Sequence, residues 1–139
     1  MPKLEHVNLV VEDIDPTLTL LGAAFPEWRL RGEGRDEWCG MARRWVHFGD
    51  DETYVTLNDF GEGPQRDLQS PTPGLAHIGF EVASIDLIIA RLKTAGFEPR
   101  TWGPDHPHRR NVYFLDGAGL EFEFIEYLSD APEERNLYV

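Results

Sequence analysis

Leu4-Glu5-His6-Val7-Asn8-Leu9-Val10-Val11 and Leu75-Ala76-His77-Ile78-Gly79-Phe80-Glu81-Val82 are two versions of one pattern, 71 positions apart. The match continues through Ile14-Asp15 and Ile85-Asp86 at the same offset, and through Ala24-Phe25 and Gly96-Phe97 at 72. Self-similarity at a fixed spacing marks a duplicated structural unit. In both opening stretches apolar and polar residues alternate, the period of a half-buried strand. Asp13 and Ser84 follow where a helix N-cap accepts free backbone N–H groups. Ile85, Ile88, Ile89 and Leu92 then fall at helical spacing, and Gly96 supplies the stop. The matching helix of the first copy covers roughly 14–24, with Pro16 in its first turn. Each copy closes with two alternating runs, 44–48 and 53–57 in the first, 111–115 and 120–125 in the second. Asp50-Asp51 and Asp116-Gly117 turn the chain between them. A further strand precedes each pair, near 28–32 and 97–102. The pattern predicts an α+β fold of two tandem βαβββ modules, about 1–60 and 74–127. A Pro/Gly/Ser-bearing linker, 61–73, joins them and an acidic tail, 128–139, follows. Units this short bury little alone, so 1–139 is expected to be one domain with a shared core.

The chain has 139 residues, 13 Lys or Arg and 25 Asp or Glu, for a net charge of −12. That balance disfavours nucleic acid and anionic membrane surfaces, which require a basic face. It suits metals, cations and neutral molecules. Cys39 is the only cysteine, so an intrachain disulfide and a cysteine-based zinc cluster are excluded. No apolar leader or spanning segment is visible, and a cytoplasmic protein is expected.

Strand parity locates the chemistry. If Val7, Leu9, Val46, Phe48, Val55 and Leu57 face the helix, then His6, Asn8, Trp45, His47, Tyr54 and Thr56 face the other way. The second copy puts His77, Gly79, Asn111, Tyr113, Glu121, Glu123 and Ile125 on the corresponding face. Histidines and carboxylates on a helix-free face suit the lining of a cleft. His6 and His77 hold the same place in the two copies, and Glu123 shares their side. Two imidazoles and one carboxylate are a ligand set for a divalent metal with open positions.

The duplicated β-α-β-β-β pattern, its two histidine-bearing openings and the closing run from Leu115 to Glu126 resemble the vicinal oxygen chelate superfamily. That family includes glyoxalase I, fosfomycin-modifying enzymes, extradiol dioxygenases and bleomycin-binding proteins. The resemblance covers about 1–127. It implies an open, cupped mixed sheet around a cleft, a homodimer, and one divalent metal (Fe, Zn, Ni, Mn or Co) on His6, His77 and Glu123. Glyoxalase I has a fourth ligand where this chain has Thr56, which argues against simple glyoxalase I activity. The ligand order is similar to that of the extradiol enzymes.

Two functions are expected from this reading. The first is a metalloenzyme that chelates adjacent oxygens of a small organic substrate, of lyase, isomerase, thiol transferase or dioxygenase type. The second is a metal-free protein that sequesters a cationic aromatic drug such as bleomycin. Glu123, Tyr113 and His47 are the catalytic candidates, with Glu121 and Glu126 as alternatives if the register shifts. Trp45, Tyr54, Thr56, Asn8 and Arg109 are the substrate-binding candidates. His106 and His108 are expected in a mobile loop, and the tail either as a loose end or as an arm on a second subunit.

Overall fold

A computed structural model describes all 139 residues, Met1–Val139. The chain separates into two compact units, Met1–Gln65 and Arg66–Val139. The first contains β1 (His6–Val10), α1 (Asp15–Ala24), β2 (Arg29–Trp38), β3 (Met41–Gly49) and β4 (Tyr54–Asn58). The second contains β5 (Ile78–Glu81), α2 (Ile85–Thr94), β6 (Thr101–Trp102), β7 (Arg109–Leu115), β8 (Glu121–Tyr127) and a short α3 (Pro132–Arg135). Each unit folds its strands into one four-stranded mixed sheet, in the order β1-β4-β3-β2 and β5-β8-β7-β6. The first and last strands of each unit pair in parallel and the other pairs are antiparallel. The expected βαβββ order is present in both copies. No helix is long and apolar enough to cross a membrane.

The apolar alternation decides which face is sealed. In the first unit Val46, Phe48, Val55 and Leu57 are buried, together with Leu20, Leu21 and Ala24 of α1. In the second, Val112, Phe114, Phe122 and Phe124 are buried with Ile85, Ile88 and Leu92 of α2, which packs against β7 and β8. Burying a Phe or Leu side chain stabilises a fold by about 1.5–3 kcal/mol, so these rows hold each helix on its sheet.

The turns repeat as the strands do. Asp50 accepts the backbone N–H groups of Glu52 and Thr53, each at 2.9 Å. Asp116 accepts those of Ala118 and Leu120 at 2.7 and 3.1 Å. Ser84 caps α2 by accepting from Leu87 N–H at 3.2 Å, and Gly96 ends it with φ +93°. The first helix begins at Asp15, after Ile14 in a helical conformation, and the Asp13 carboxylate accepts the Asp15 N–H at 3.0 Å.

Several boundaries differ from expectation. The strand expected near 28–32 runs ten residues, 29–38, because it is an edge strand that can be polar on both faces. Its hairpin with β3 turns at Cys39 and Gly40, both with positive φ. The strand expected at 97–102 is only Thr101–Trp102, since Pro99 and Pro104 bracket it and supply no N–H donors. His77 lies one residue before β5 rather than within it. The tail is neither loose nor extended away. His106 Nε2 donates to Leu137 O at 2.8 Å, and His108 Nδ1 lies 2.9 Å from Glu134. Both histidines therefore dock the tail onto its own unit.

Candidate functional site

The helix-free face of the second unit gathers three polar side chains around one carboxylate. Glu123, in the middle of β8, stands opposite Gly79 of β5 on one side and Tyr113 of β7 on the other. Its Oε2 lies 3.0 Å from His77 Nε2, and its Oε1 accepts from Asn111 Nδ2 at 3.0 Å. Asn111 Nδ2 also donates to Tyr113 Oη at 3.3 Å. The Tyr113 ring meets His77 edge-on, with centroids 5.3 Å apart. Burial, and then the negative charge of Glu123, pushes the Tyr113 pKa above its ordinary value, so the phenol stays a proton donor. The Glu123 side chain is only 13% exposed, yet none of its ion-pair partners is an arginine or lysine.

Two further groups frame this cluster. Glu121 lies two residues earlier on β8, nearly buried, with its Oε1 3.8 Å from His77 Nδ1. Arg100 pairs with the other Glu121 oxygen and neutralises it. A cleft of about 230 Å³ bounded by Trp102, Gly103, His106, Arg109, Arg110 and Asn111 opens beside Asn111. Arg109 spends its guanidinium on the carbonyls of Arg135 and Leu137, at 3.2 and 3.5 Å. Glu126 faces away and pairs with Arg110 at 3.5 Å.

The corresponding face of the first unit is built from rings. Trp45, His47, Tyr54 and His6 form a continuous row with centroid spacings of 5.0, 4.7 and 4.8 Å. His6 and His47 both stack on Tyr54, at interplanar angles of 8° and 22°. The Arg31 guanidinium also lies over the Tyr54 ring, 4.4 Å from its centre. Burial, followed by the charges of His6 and Arg31, lowers the His47 pKa. Thr56 is buried between Asn8 of β1 and His47 of β3. Asn8 accepts from Asn58 Nδ2 at 2.6 Å.

Each unit thus brings its own candidates together: His6, His47, Tyr54, Trp45 and Thr56 in one, His77, Glu123 and Tyr113 in the other. No group of three His, Cys, Asp or Glu placed to hold a metal ion occurs in the chain. The sequence reading put Asn111 on this face but gave it no role, and it missed Arg100 and Arg31 altogether. The signal for Asn111 was available: it shares parity with Tyr113 and sits across the strand pair from Gly103. Arg100 and Arg31 carried no signal, because their partners are far away in the chain.

Comparison with known proteins agrees with this architecture. The model of the glyoxalase/bleomycin resistance protein/dioxygenase superfamily matches residues 5–127. A solved glyoxylase/bleomycin resistance protein/dioxygenase domain from Frankia sp. EAN1pec is 21% identical, covers 99% of each chain and gives a TM-score of 0.72. A mutant of the fosfomycin resistance protein FosX from Listeria monocytogenes was solved with Mn(II) and 1S,2S-dihydroxypropylphosphonic acid. It is 22% identical, with 97% of this chain and 98% of that chain covered and a TM-score of 0.70. A glyoxalase family protein from Bacillus cereus is 19% identical, with 93% and 96% covered and a TM-score of 0.70. No match was found among curated proteins. By the match over 5–127 and the repeated βαβββ topology, the chain belongs to the glyoxalase/bleomycin resistance protein/dioxygenase superfamily.

Proposed function

We propose that the protein is a metal-dependent enzyme that acts on a small organic substrate by chelating two adjacent oxygens, with His6, His77 and Glu123 as the metal ligands. The observation that carries this reading is Glu123. It is a largely buried carboxylate in a chain of net charge −12, with no arginine or lysine against it and one oxygen 3.0 Å from His77 Nε2. A carboxylate held out of water is costly unless a cation offsets it. Two ligands at about 2.1 Å from one ion and at right angles stand about 3.0 Å apart. The donor pair therefore fits a shared divalent ion. The third ligand in this reading is His6, contributed by a second copy of the chain in a homodimer. FosX holds Mn(II) in its solved structure, so Mn(II) is the first metal to test.

A divalent ion there would supply Lewis-acid polarisation of the substrate oxygens. Tyr113 keeps its proton and donates a hydrogen bond to a substrate oxygen, which stabilises charge that develops on it. His47 is favoured in its neutral form and accepts a proton. Trp45 and Tyr54 offer ring faces to the apolar body of the substrate. The Thr56 hydroxyl hydrogen-bonds but adds no charge, so His6, His77 and Glu123 alone would hold the ion.

The test is Mn(II) binding to tag-free protein, followed by electron paramagnetic resonance. Wild type should bind stoichiometrically; Glu123→Ala, His77→Ala and His6→Ala should not. Mixing His6→Ala with Glu123→Ala protein should restore binding, because each heterodimer then holds one intact set. Absence of recovery would reject the shared site. Turnover is then sought with the hemithioacetal of methylglyoxal and glutathione, and with a catechol panel under Fe(II). Efficient glyoxalase turnover would refute the Thr56 argument. A second reading, a metal-free binder of a cationic aromatic drug, is favoured by the row of four rings on the first unit. Tight bleomycin binding in chelator, without turnover of either substrate class, would select it.

A further inference from the structure

We propose that Asn111, laid over Gly103, is a positioning residue that ties down one oxygen of Glu123 and reserves the other for the metal. This rests on the reading of His77 and Glu123 as ligands. An ionised carboxylate has two equivalent oxygens and can take an ion with one or both. Here they are not equivalent. Oε1 accepts from Asn111 Nδ2 at 3.0 Å, whereas Oε2 faces His77 Nε2 at 3.0 Å. The orientation of the amide follows from chemistry, since a carboxylate only accepts and the Asn111 nitrogen must face it. Its two protons are both used, one on Glu123 and one on Tyr113 Oη.

The amide is held there by the segment just past β6. A Cβ built on Gly103 would lie 2.0 Å from Asn111 Oδ1 and 2.2 Å from Nδ2, so the side chain occupies the space that glycine leaves. The Gly103 N–H donates to Asn111 O at 2.9 Å, which fixes the backbone at the same point. No other residue type at 103 allows this approach without displacing the amide. Asn111 also lines the 230 Å³ cleft, so it stands between that cleft and Glu123. Its consequence would be a Glu123 that offers a metal Oε2 alone.

The test uses the full-length protein with Mn(II) for affinity and Co(II) for coordination number. Asn111→Ala and Asn111→Leu remove the donors; Asn111→Leu keeps the bulk. Gly103→Ala removes no polar group but pushes the amide away. Loss of an outer partner typically costs 10–100-fold in metal affinity, and all three variants should weaken Mn(II) by about that factor. Co(II) absorption should fall in intensity as Glu123 turns to bind through both oxygens and the coordination number rises. Asn111→Ala and Asn111→Leu proteins that bind Mn(II) within about twofold of wild type, with an unchanged Co(II) spectrum, would overturn the proposal while leaving the ligand assignment intact. Wild-type protein that takes up no Mn(II) would overturn both.

Discussion

The two units carry different chemistry on the same frame. His6, Tyr54, Thr56, His47 and Trp45 hold the places in the first sheet that His77, Glu121, Glu123, Tyr113 and Asn111 hold in the second. One set is a row of stacked rings; the other is a hydrogen-bonded cluster around an acid. The frame itself repeats in detail. Asp50 and Asp116 close the equivalent turns, and Gly34 and Gly103 leave room for the side chain laid across from the next strand. A Cβ on Gly34 would lie 2.8 Å from the Trp45 indole nitrogen, as one on Gly103 would strike Asn111. Backbone pairing, turn carboxylates and glycines define the unit, and the outward face is free to change. Only the second copy carries a carboxylate, Glu123, at the place where the first has Thr56.

The sharpest way to break this comparison is to exchange that residue. Thr56→Glu puts a new charge at a buried position that holds a neutral hydroxyl. The variant should lose about 3 kcal/mol or more of stability in chelator, by the cost of an unpaired buried charge. If the frames are equivalent, a divalent metal should restore much of the loss, seen as a rise in Tm on adding Mn(II) or Ni(II). A Tm indifferent to metal would show that the first copy cannot become a fuller ligand set.

The turn carboxylates give the next effect. Asp116→Ala leaves two N–H groups without their acceptor in a buried turn and should cost about 2–3 kcal/mol in a urea titration. Asp50→Ala, in the more exposed turn, should cost about 1 kcal/mol. The N–H groups of Glu52 and Thr53 lower the Asp50 pKa below its ordinary value. Its contribution is therefore complete above the unfolded pKa near 4 and is lost as pH falls through the lower folded value. Asp50→Asn should flatten that acid limb of the stability profile; an unchanged limb would contradict the bond geometry.

Helix starts give the smallest. Ser84→Ala and Asp13→Ala each remove a carboxylate or hydroxyl acceptor at a helix N-terminus, worth about 1 kcal/mol. Similar losses would show that α1 is capped as α2 is, one residue ahead of its boundary. No loss for Asp13→Ala would show that Pro16, which lacks an N–H to satisfy, makes the cap dispensable.

Much of the frame was legible in the sequence because its periods are strong. The strand alternation around Val46, Phe48, Val112 and Phe114 identifies the sealed face without further information. The match of His6 with His77 fixes the register of the copies. Parity alone places Glu123 with His77 and Tyr113, as the 3.0 Å contact and the strand pairing now show. What was not legible has physical causes. The ten-residue β2 reads Arg-Leu-Arg-Gly-Glu-Gly-Arg-Asp-Glu-Trp, with no apolar alternation, because an edge strand need bury neither face. Its ion pairs, Arg43 with Asp36 at 2.8 Å and Arg44 with Glu33 at 3.6 Å, have no local signature. The docking of His106 and His108 on the tail depends on chain that returns from 26 to 31 positions away. The fit of Asn111 over Gly103 depends on a missing Cβ one residue past β6, which no spacing rule along one strand reveals.

The central claim is that the second copy holds a metal half-site and that His6 completes it. The most direct measurement is the Mn(II) stoichiometry of wild type, Glu123→Ala, His6→Ala and the 1:1 mixture of those two variants, read by electron paramagnetic resonance. The account predicts one ion per chain for wild type, none for either variant alone, and partial recovery in the mixture. Stoichiometric Mn(II) in the Glu123→Ala protein would contradict it.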